Sequence, residues 1–463
     1  MGGDIMDRRT FVKGVGAAAL MAGLPKFALA KASADEIGKL GSTLTPMGAV
    51  KEGNADGSIA PWSGKWLGTP PGISFAGTGT PLPDPYASEK PIFTITAQSL
   101  AQYADKLSAG QQAMFKRYPD TFKMHVYPCH RDFRYSDWTH EQIRQNAELA
   151  ALTASQEGIT NVKGGAAFPF PKSGIEQIWN VITATKAFTE TGDYDEAVVY
   201  PDGNIAWGGQ KWDIYAPPYD PNTPREAGSP QSSFVFRETT KPERERGSIA
   251  LVQETWAFDS NPTMAYQYVP GTRRVKQAPE VAGDYPLGPG GFHTVDDTRL
   301  WAQSPKRYTW ELVGKKEIFV PYNNYKVEDP AASYKTLLGK SHLNPDFMRW
   351  ELHRVWVLKA KLKDGIRHIY GARTIYADED THLPLLADMY DARGELYRFA
   401  LNTVSYDYAA QIFMTRVCCY HDLVSGAYMA DRLTNELKNK PKFNVGGRKP
   451  GDYTPAELKR RGV

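Results

Sequence analysis

The sequence predicts an α+β fold: a large curved antiparallel β-sheet, a half-open barrel, wrapped over helices and preceded by a Pro/Gly-rich arm. Three observations carry that expectation. Residues 31–91 are dense in Gly and Pro, which punctuate against both helix and strand. Between about 96 and 182, apolar residues recur three times at helical spacing. From about Ser248 onward the period shortens to two, as in half-buried strands. The length of 463 residues favours two or three domains as a soft prior. The period-two segments run on without a linker, however, so 92–463 is read as one domain, 31–91 as an arm packed on it, and 1–30 as a leader.

The leader is read from Asp7-Arg8-Arg9-Thr10-Phe11-Val12-Lys13, a twin-arginine export pattern. The apolar stretch Val15 to Leu24 is too short to anchor in a bilayer. Ala28-Leu29-Ala30 offers the small residues a signal peptidase reads, so cleavage after Ala30 and a periplasmic location are expected, with outer-membrane association left open. The whole chain has 55 Lys and Arg against 52 Asp and Glu. The leader holds four of the basic residues (Arg8, Arg9, Lys13, Lys26) and two of the acidic ones (Asp4, Asp7), leaving 51 against 50. That balance argues against a nucleic-acid partner, which demands a basic face.

The arm carries Gly53-Asn54-Ala55-Asp56-Gly57, Pro61-Trp62-Ser63-Gly64 and Pro81-Leu82-Pro83-Asp84-Pro85, and its Trp62, Trp66 and Phe75 suggest that it lies on a folded body. The first helical stretch spans about 96–118. A second is expected to open on a Thr139/Gln142 capping box and run to about Ser155. A third opens on Ser173/Glu176, with Ile175, Ile178, Trp179 and Ile182 forming one core-facing stripe. In the strand region Tyr266 and Tyr268 alternate with polar residues, as do Tyr308 and Trp310. Trp350, Leu352, Arg354, Trp356 and Leu358 share one strand face, with Glu351, His353, Val355, Val357 and Lys359 on the other. Lys363-Asp364-Gly365 and Asp391-Ala392-Arg393-Gly394 mark hairpins, giving a meander of at least seven strands. Thr454-Pro455-Ala456-Glu457 opens a C-terminal helix.

Catalytic and metal motifs are sparse. None of the nine histidines lies in a His-Glu-x-x-His pattern, and neither a nucleophile elbow nor a P-loop occurs. His125 and His130 flank Cys129 in the densest grouping, read as a Pro-stiffened turn. Asp378-Glu379-Asp380 and Gly53 to Gly57 are read as polar turns in preference to Ca²⁺ sites. Three cysteines build no disulfide framework. Buried free thiols are the favoured account, with a bond from Cys129 to Cys418 or Cys419 left open. No cofactor and no metal are expected. The notable excess is aromatic, 25 Tyr and 11 Trp. Trp179, Tyr266, Tyr268, Tyr308, Trp310, Trp350 and Trp356 all sit where a curved sheet or its helices would bury them. Ordinary core packing competes with an apolar ligand site lined by these rings, in which Arg354 would hold an anionic headgroup.

Four sets of segments resemble the bacterial domain-of-unknown-function family 1329. They are Leu44-Thr45-Pro46 through Pro61-Trp62; Tyr118-Pro119-Asp120 through His130-Arg131; Phe168-Pro169-Phe170-Pro171 to Asn180; and Val313-Gly314-Lys315-Lys316-Glu317 through Glu351-Leu352-His353-Arg354-Val355-Trp356-Val357. The resemblance implies a fold like the periplasmic lipoprotein carriers of the LolA/LolB type. A stretch similar to their paired-strand signature runs from Tyr376-Ala377-Asp378-Glu379-Asp380 to Tyr390-Asp391 and Gly394. It also implies a carrier of a hydrophobic or lipid-like molecule, without enzymatic activity, working with an outer-membrane β-barrel and a resistance-nodulation-division exporter. The alternatives are an accessory or sensor subunit that transfers no ligand and, last, a periplasmic ester hydrolase. No catalytic residue is implied.

Overall fold

The structure is a computed structural model and describes residues 31–225, 230–278 and 283–462; the leader expected over 1–30 and the expected cleavage after Ala30 lie outside the described residues. The arm contributes α1 (Ala34–Lys39) and otherwise loops. There follow β1 (Phe93–Ile95), α2 (Leu100–Tyr103), α3 (Ala109–Arg117), β2 (Met124–Val126), α4 (Asp137–Leu149), a small hairpin of β3 (Ala151–Leu152) and β4 (Ile159–Thr160), and α5 (Gly174–Thr183). The first meander comprises β5 (Thr189–Val199), β6 (Ile205–Tyr215), β7 (Gln231–Lys241), β8 (Ile249–Thr255), β9 (Met264–Val269) and β10 (Arg274–Gln277). A loop region with the hairpin β11 (Pro286–Leu287) and β12 (His293–Thr294) leads to β13 (Tyr308–Pro321), α6 (Tyr334–Leu337) and β14 (Trp350–Leu362). The chain closes with β15 (Ala372–Asp378), β16 (Pro384–Tyr390), β17 (Leu396–Asp407), β18 (Ile412–Asp422), β19 (Tyr428–Leu433), β20 (Lys442–Phe443) and α7 (Pro455–Arg461).

Sixteen of these strands form one sheet that is not closed into a barrel. Its order is β1-β2-β14-β15-β16-β17-β18-β19-β5-β6-β7-β8-β9-β10, with β13 on β14 and β20 on β5. Two meanders thus meet where Tyr428 of β19 pairs Val199 of β5. The pairing of β2 with β14, at Val126 and Trp350, is parallel.

Both faces of the sheet are covered, because alternate residues along each strand point to opposite sides. On β18, Val417 and Cys419 join a core with Phe115, Trp350 and Tyr406. Cys418 and Tyr420 join another with Trp179, Trp301 and Tyr308. A smaller core lies under α7, around Phe236, Tyr268 and Tyr453. All three cysteines are buried and free.

Several sequence expectations need correction. Beyond the short β1 and β2, the long strands of the sheet begin at Thr189, some sixty residues before the expected Ser248. Strand β5 has no clean apolar alternation because it buries Glu190, Asp195 and Glu196, and Glu190 is neutralised by Arg432 and Arg299 at 2.9 and 3.2 Å. The stretch 96–118 is broken at Leu107, where Ser108 caps α3 with a reciprocal bond from Gln111. Ser136, not Thr139, caps α4, which ends at Leu149. Ser173 does cap α5, accepting from the Glu176 N–H, but α5 is buried on every side and not along one stripe. Among the described residues, no helix is long and apolar enough to cross a membrane.

Candidate functional site

The start of β14 gathers the densest group of chemically capable side chains. Tyr127 donates its N–H to the Trp350 carbonyl at 2.9 Å, so the loop leaving β2 lies along β14 and brings Cys129, His130 and Arg131 beside it. Glu351 and His353 are two apart on β14 and so share a face. The end of β15 supplies Asp378 and the following turn Asp380, while Tyr322 and Asn323 arrive directly after β13.

Glu351 is fully buried. Its Oε1 accepts from Arg349 Nε at 2.6 Å and Asn323 Nδ2 at 3.0 Å. Its Oε2 accepts from the His130 N–H at 2.9 Å and lies 3.1 Å from His353 Nε2. The same His353 nitrogen is 3.7 Å from Cys129 Sγ, and Nδ1 faces Asp378 Oδ1 at 3.9 Å. Tyr322 stacks on the imidazole with centroids 4.0 Å apart. Asp378 Oδ2 accepts from the Thr381 N–H and hydroxyl at 3.0 and 2.7 Å and from the Tyr322 hydroxyl at 3.2 Å. Its Oδ1 is buried and has no hydrogen-bond partner. Asp380 takes a two-pronged bond from Arg131 at 2.7 and 2.8 Å.

Burial alone would raise the Glu351 pKa, but Arg349 and His353 outweigh it and hold the carboxyl down at about 2. Burial would strip the proton from His353, yet Cys129 and Glu351 push its pKa well up. Asp378 is raised, by burial first and by neighbouring Asp380 second. A thiol, an imidazole and a carboxylate thus stand in line as in a cysteine-hydrolase triad. Cys129 is only 7% exposed, which keeps its sulfur from an incoming substrate.

A second feature lies beside Trp350. Phe122, Leu343, Met348, Trp350, Leu401 and Cys419 line an apolar pocket of about 10 Å³, bordered by Lys123, His342 and His421. That is room for about one water. Trp350 Nε1 and His421 Nδ1 are buried without partners. Burial, with His342 adding to it, drives the His421 pKa down to about 3 and keeps the ring neutral.

The eight residues predicted to bind ligand do not converge on one cavity. Trp179, Tyr308, Trp310 and Trp356 meet in or against one core. There Trp179 Nε1 donates to the Gln156 carbonyl at 3.1 Å and Trp310 Nε1 to that of Pro305 at 2.9 Å. Tyr266 and Tyr268 lie in the core under α7, and Trp350 alone lines the pocket. Arg354 donates to Glu379 Oε2 at 2.9 Å, to the Val50 carbonyl at 3.3 Å and to that of Glu52, so it fastens the arm. His125 and His130 also part company from Cys129: His125 bonds Thr94 at 2.9 Å and His130 bonds Glu89 at 2.6 Å. The partner of Cys129, His353, is 224 residues away in sequence, and only the Glu351-x-His353 alternation hinted at it.

Fold and site together define an open-sheet α+β protein with a buried ion cluster beside a small apolar pocket. The sequence profile described as "Protein of unknown function (DUF1329)" matches residues 94–459, and the chain belongs to that family. An uncharacterized protein of Pseudomonas aeruginosa, PA3922, is 40% identical over 450 residues, covering 94% of this chain and 95% of that one. Among solved structures, a DUF1329 family protein from Desulfovibrio piger is similar at 12% identity and a TM-score of 0.40, over 59% of this chain and 92% of that one. A putative outer membrane lipoprotein-sorting protein domain from Vibrio parahaemolyticus is similar at 13% and 0.39, over 59% and 93%. A LolA superfamily protein from Nitrosomonas europaea is similar at 11% and 0.37, over 61% and 98%.

Proposed function

We propose that this chain is a periplasmic binding protein that takes a hydrophobic or amphipathic, lipid-like molecule beside Trp350. One observation carries the reading: an apolar pocket two of whose lining residues, Trp350 and His421, each bury a polar atom without a partner, Nε1 and Nδ1. Such groups cost free energy unless something bonds to them, and an apolar site with few convergent polar groups suits a molecule with a greasy body and a polar end. Exposed Lys123 at the rim suits a negatively charged end. The pocket as it stands is a closed form, since ligand sites run to roughly 300–1,000 Å³. The covering segment from His342 to Met348 is the part that must move. An outer-membrane β-barrel and a resistance-nodulation-division exporter are the partners to which such cargo would pass.

Titration with a fluorescent fatty acid and a fluorescent neutral steroid tests the reading. Saturable uptake of one probe per chain is expected. Lys123→Glu should weaken the fatty acid about tenfold, roughly 1.4 kcal/mol, and leave the steroid unchanged. Absence of saturable uptake of both probes, with no lipid-like material in mass spectra of native protein, overturns it.

A further inference from the structure

We propose that Cys129, Glu351 and His353 form a binding site for a borderline divalent metal ion, Zn²⁺ in the first instance. The site is separate from the pocket beside Trp350 and does not depend on it. Cys129 Sγ, Glu351 Oε2 and His353 Nε2 lie within 4.8 Å of one another, with 3.7 Å from sulfur to nitrogen and 3.1 Å from oxygen to nitrogen. Donors bound tetrahedrally to zinc at 2.0–2.3 Å stand roughly 3.2–3.7 Å apart, so the three need little movement to close on an ion. One sulfur, one imidazole and one carboxylate select a borderline transition ion over Ca²⁺ or Mg²⁺, which prefer oxygen throughout. Three protein ligands leave the fourth position for water or another small ligand.

The surroundings have the form of an outer shell. Arg349 and Asn323 hold Glu351 Oε1, and the His130 N–H steadies Oε2. Tyr322 clamps the imidazole plane. Asp378 Oδ1, fully buried and unpartnered, faces the far nitrogen of His353. A carboxylate behind a ligating histidine fixes its tautomer and raises its basicity. An orphaned oxygen in that position requires an explanation, and an ion on Nε2 supplies one, because Nδ1 then carries the proton that Asp378 accepts. Asn323 Oδ1 is a second buried atom without a partner at the same place. His353, Asp378 and Asp380 also come close enough to share an ion, but Arg131 already occupies both oxygens of Asp380, which places the ion on the Nε2 side. Binding displaces the proton from Cys129 Sγ and leaves His353 Nε2 to the ion.

Co²⁺ titration of the chelator-treated mature chain provides the test, because a cobalt–thiolate bond gives a near-ultraviolet charge-transfer band and a tetrahedral site gives intense visible bands. One equivalent with both signatures is expected, and Zn²⁺ should displace it and raise the melting temperature. Cys129→Ser, close in shape and checked for folding by circular dichroism, should abolish the thiolate band. Asp378→Asn should keep the band while weakening affinity about 10–100-fold, as outer-shell changes do. Failure to bind Co²⁺, uptake without a thiolate band, or a band that persists in Cys129→Ser overturns the proposal.

Discussion

Strand β15 carries Arg373 near one end and Asp378 at the other, and each lies in a buried cluster of His, Arg and Asp. At the first end Arg373 reaches Asp296 at 2.6 Å and Asp297 at 2.9 Å. Every remaining carboxylate oxygen is also met: Asp296 Oδ2 by His368 at 3.0 Å, and Asp297 Oδ2 by the Tyr370 hydroxyl at 2.9 Å and the Thr294 N–H at 3.0 Å. The rings of Trp301, Tyr308 and Tyr370 box the guanidinium in at 4.5 to 5.6 Å. At the other end the closest base to Asp378 Oδ1 is His353, at 3.9 Å. The Arg373 cluster is closed at its carboxylate oxygens, though Arg373 Nε and His368 Nε2 lack hydrogen-bond partners. An open cluster, with a thiol at its edge, leaves work for a ligand.

Removing Arg373 should have the largest effect, because it strands two buried carboxylates. Arg373→Met is expected to cost about 3–5 kcal/mol by denaturant unfolding, as broken buried pairs do. Cys129→Ser in the metal-free protein should cost far less, about 1 kcal/mol, since a hydroxyl of similar shape replaces a weak thiol donor and strands no charge. Equal costs would erase the distinction between the clusters.

The next effect is one of pH. Burial works to raise the Asp296 pKa, but Arg373 and His368 hold it below its ordinary 3.8. A depressed carboxyl stabilises the fold above its unfolded pKa, and that stability is lost as pH falls below about 4. Asp296→Asn should therefore be strongly destabilised at pH 7, with the gap to the parent narrowing toward pH 3 in chemical denaturation series. A gap that stays constant with pH would show that Asp296 is held by shape and not by charge.

Much of the scaffold was legible and little of the site. The strand from Trp350 to Leu358 and the Ser173 cap are local patterns and appear where read, but the strand's faces do not sort as expected: Trp350 and Leu352 pack in one core with Val355 and Val357, and Trp356 and Leu358 pack in or against the other. Strand β5 was illegible because buried Glu190 and Asp195 look solvent-facing until Arg432, Arg299 and Lys241 are seen across the sheet. The aromatic excess correctly marked burial, yet nothing in period or composition distinguishes a ring that packs in a core from one that lines a pocket. Cys129 and His353 meet through a single parallel pairing of β2 with β14, and no local signal encodes that contact.

The smallest expected effect concerns the open cluster's cover. Arg131 donates to the carbonyls of Val50, Lys51 and Ala60 while gripping Asp380. Glu379, accepting from the Val50 N–H at 3.0 Å and from Arg354 at 2.9 Å, holds the same strip of arm from the other side. The closed cluster has no such dependence on residues 50–60, so loosening the strip should be felt at one end of β15 only. Arg354→Met keeps much of the stem's packing and removes the partly buried ion pair with Glu379 and the bonds to the carbonyls of Val50 and Glu52, together worth about 1–2 kcal/mol. Amide exchange should then speed up at Val50 and in the turn from Glu379 to His382 while staying unchanged around Asp296 and Arg373. Faster exchange at both ends would mean that β15 transmits the loss as one rigid unit and that the two clusters are not independent.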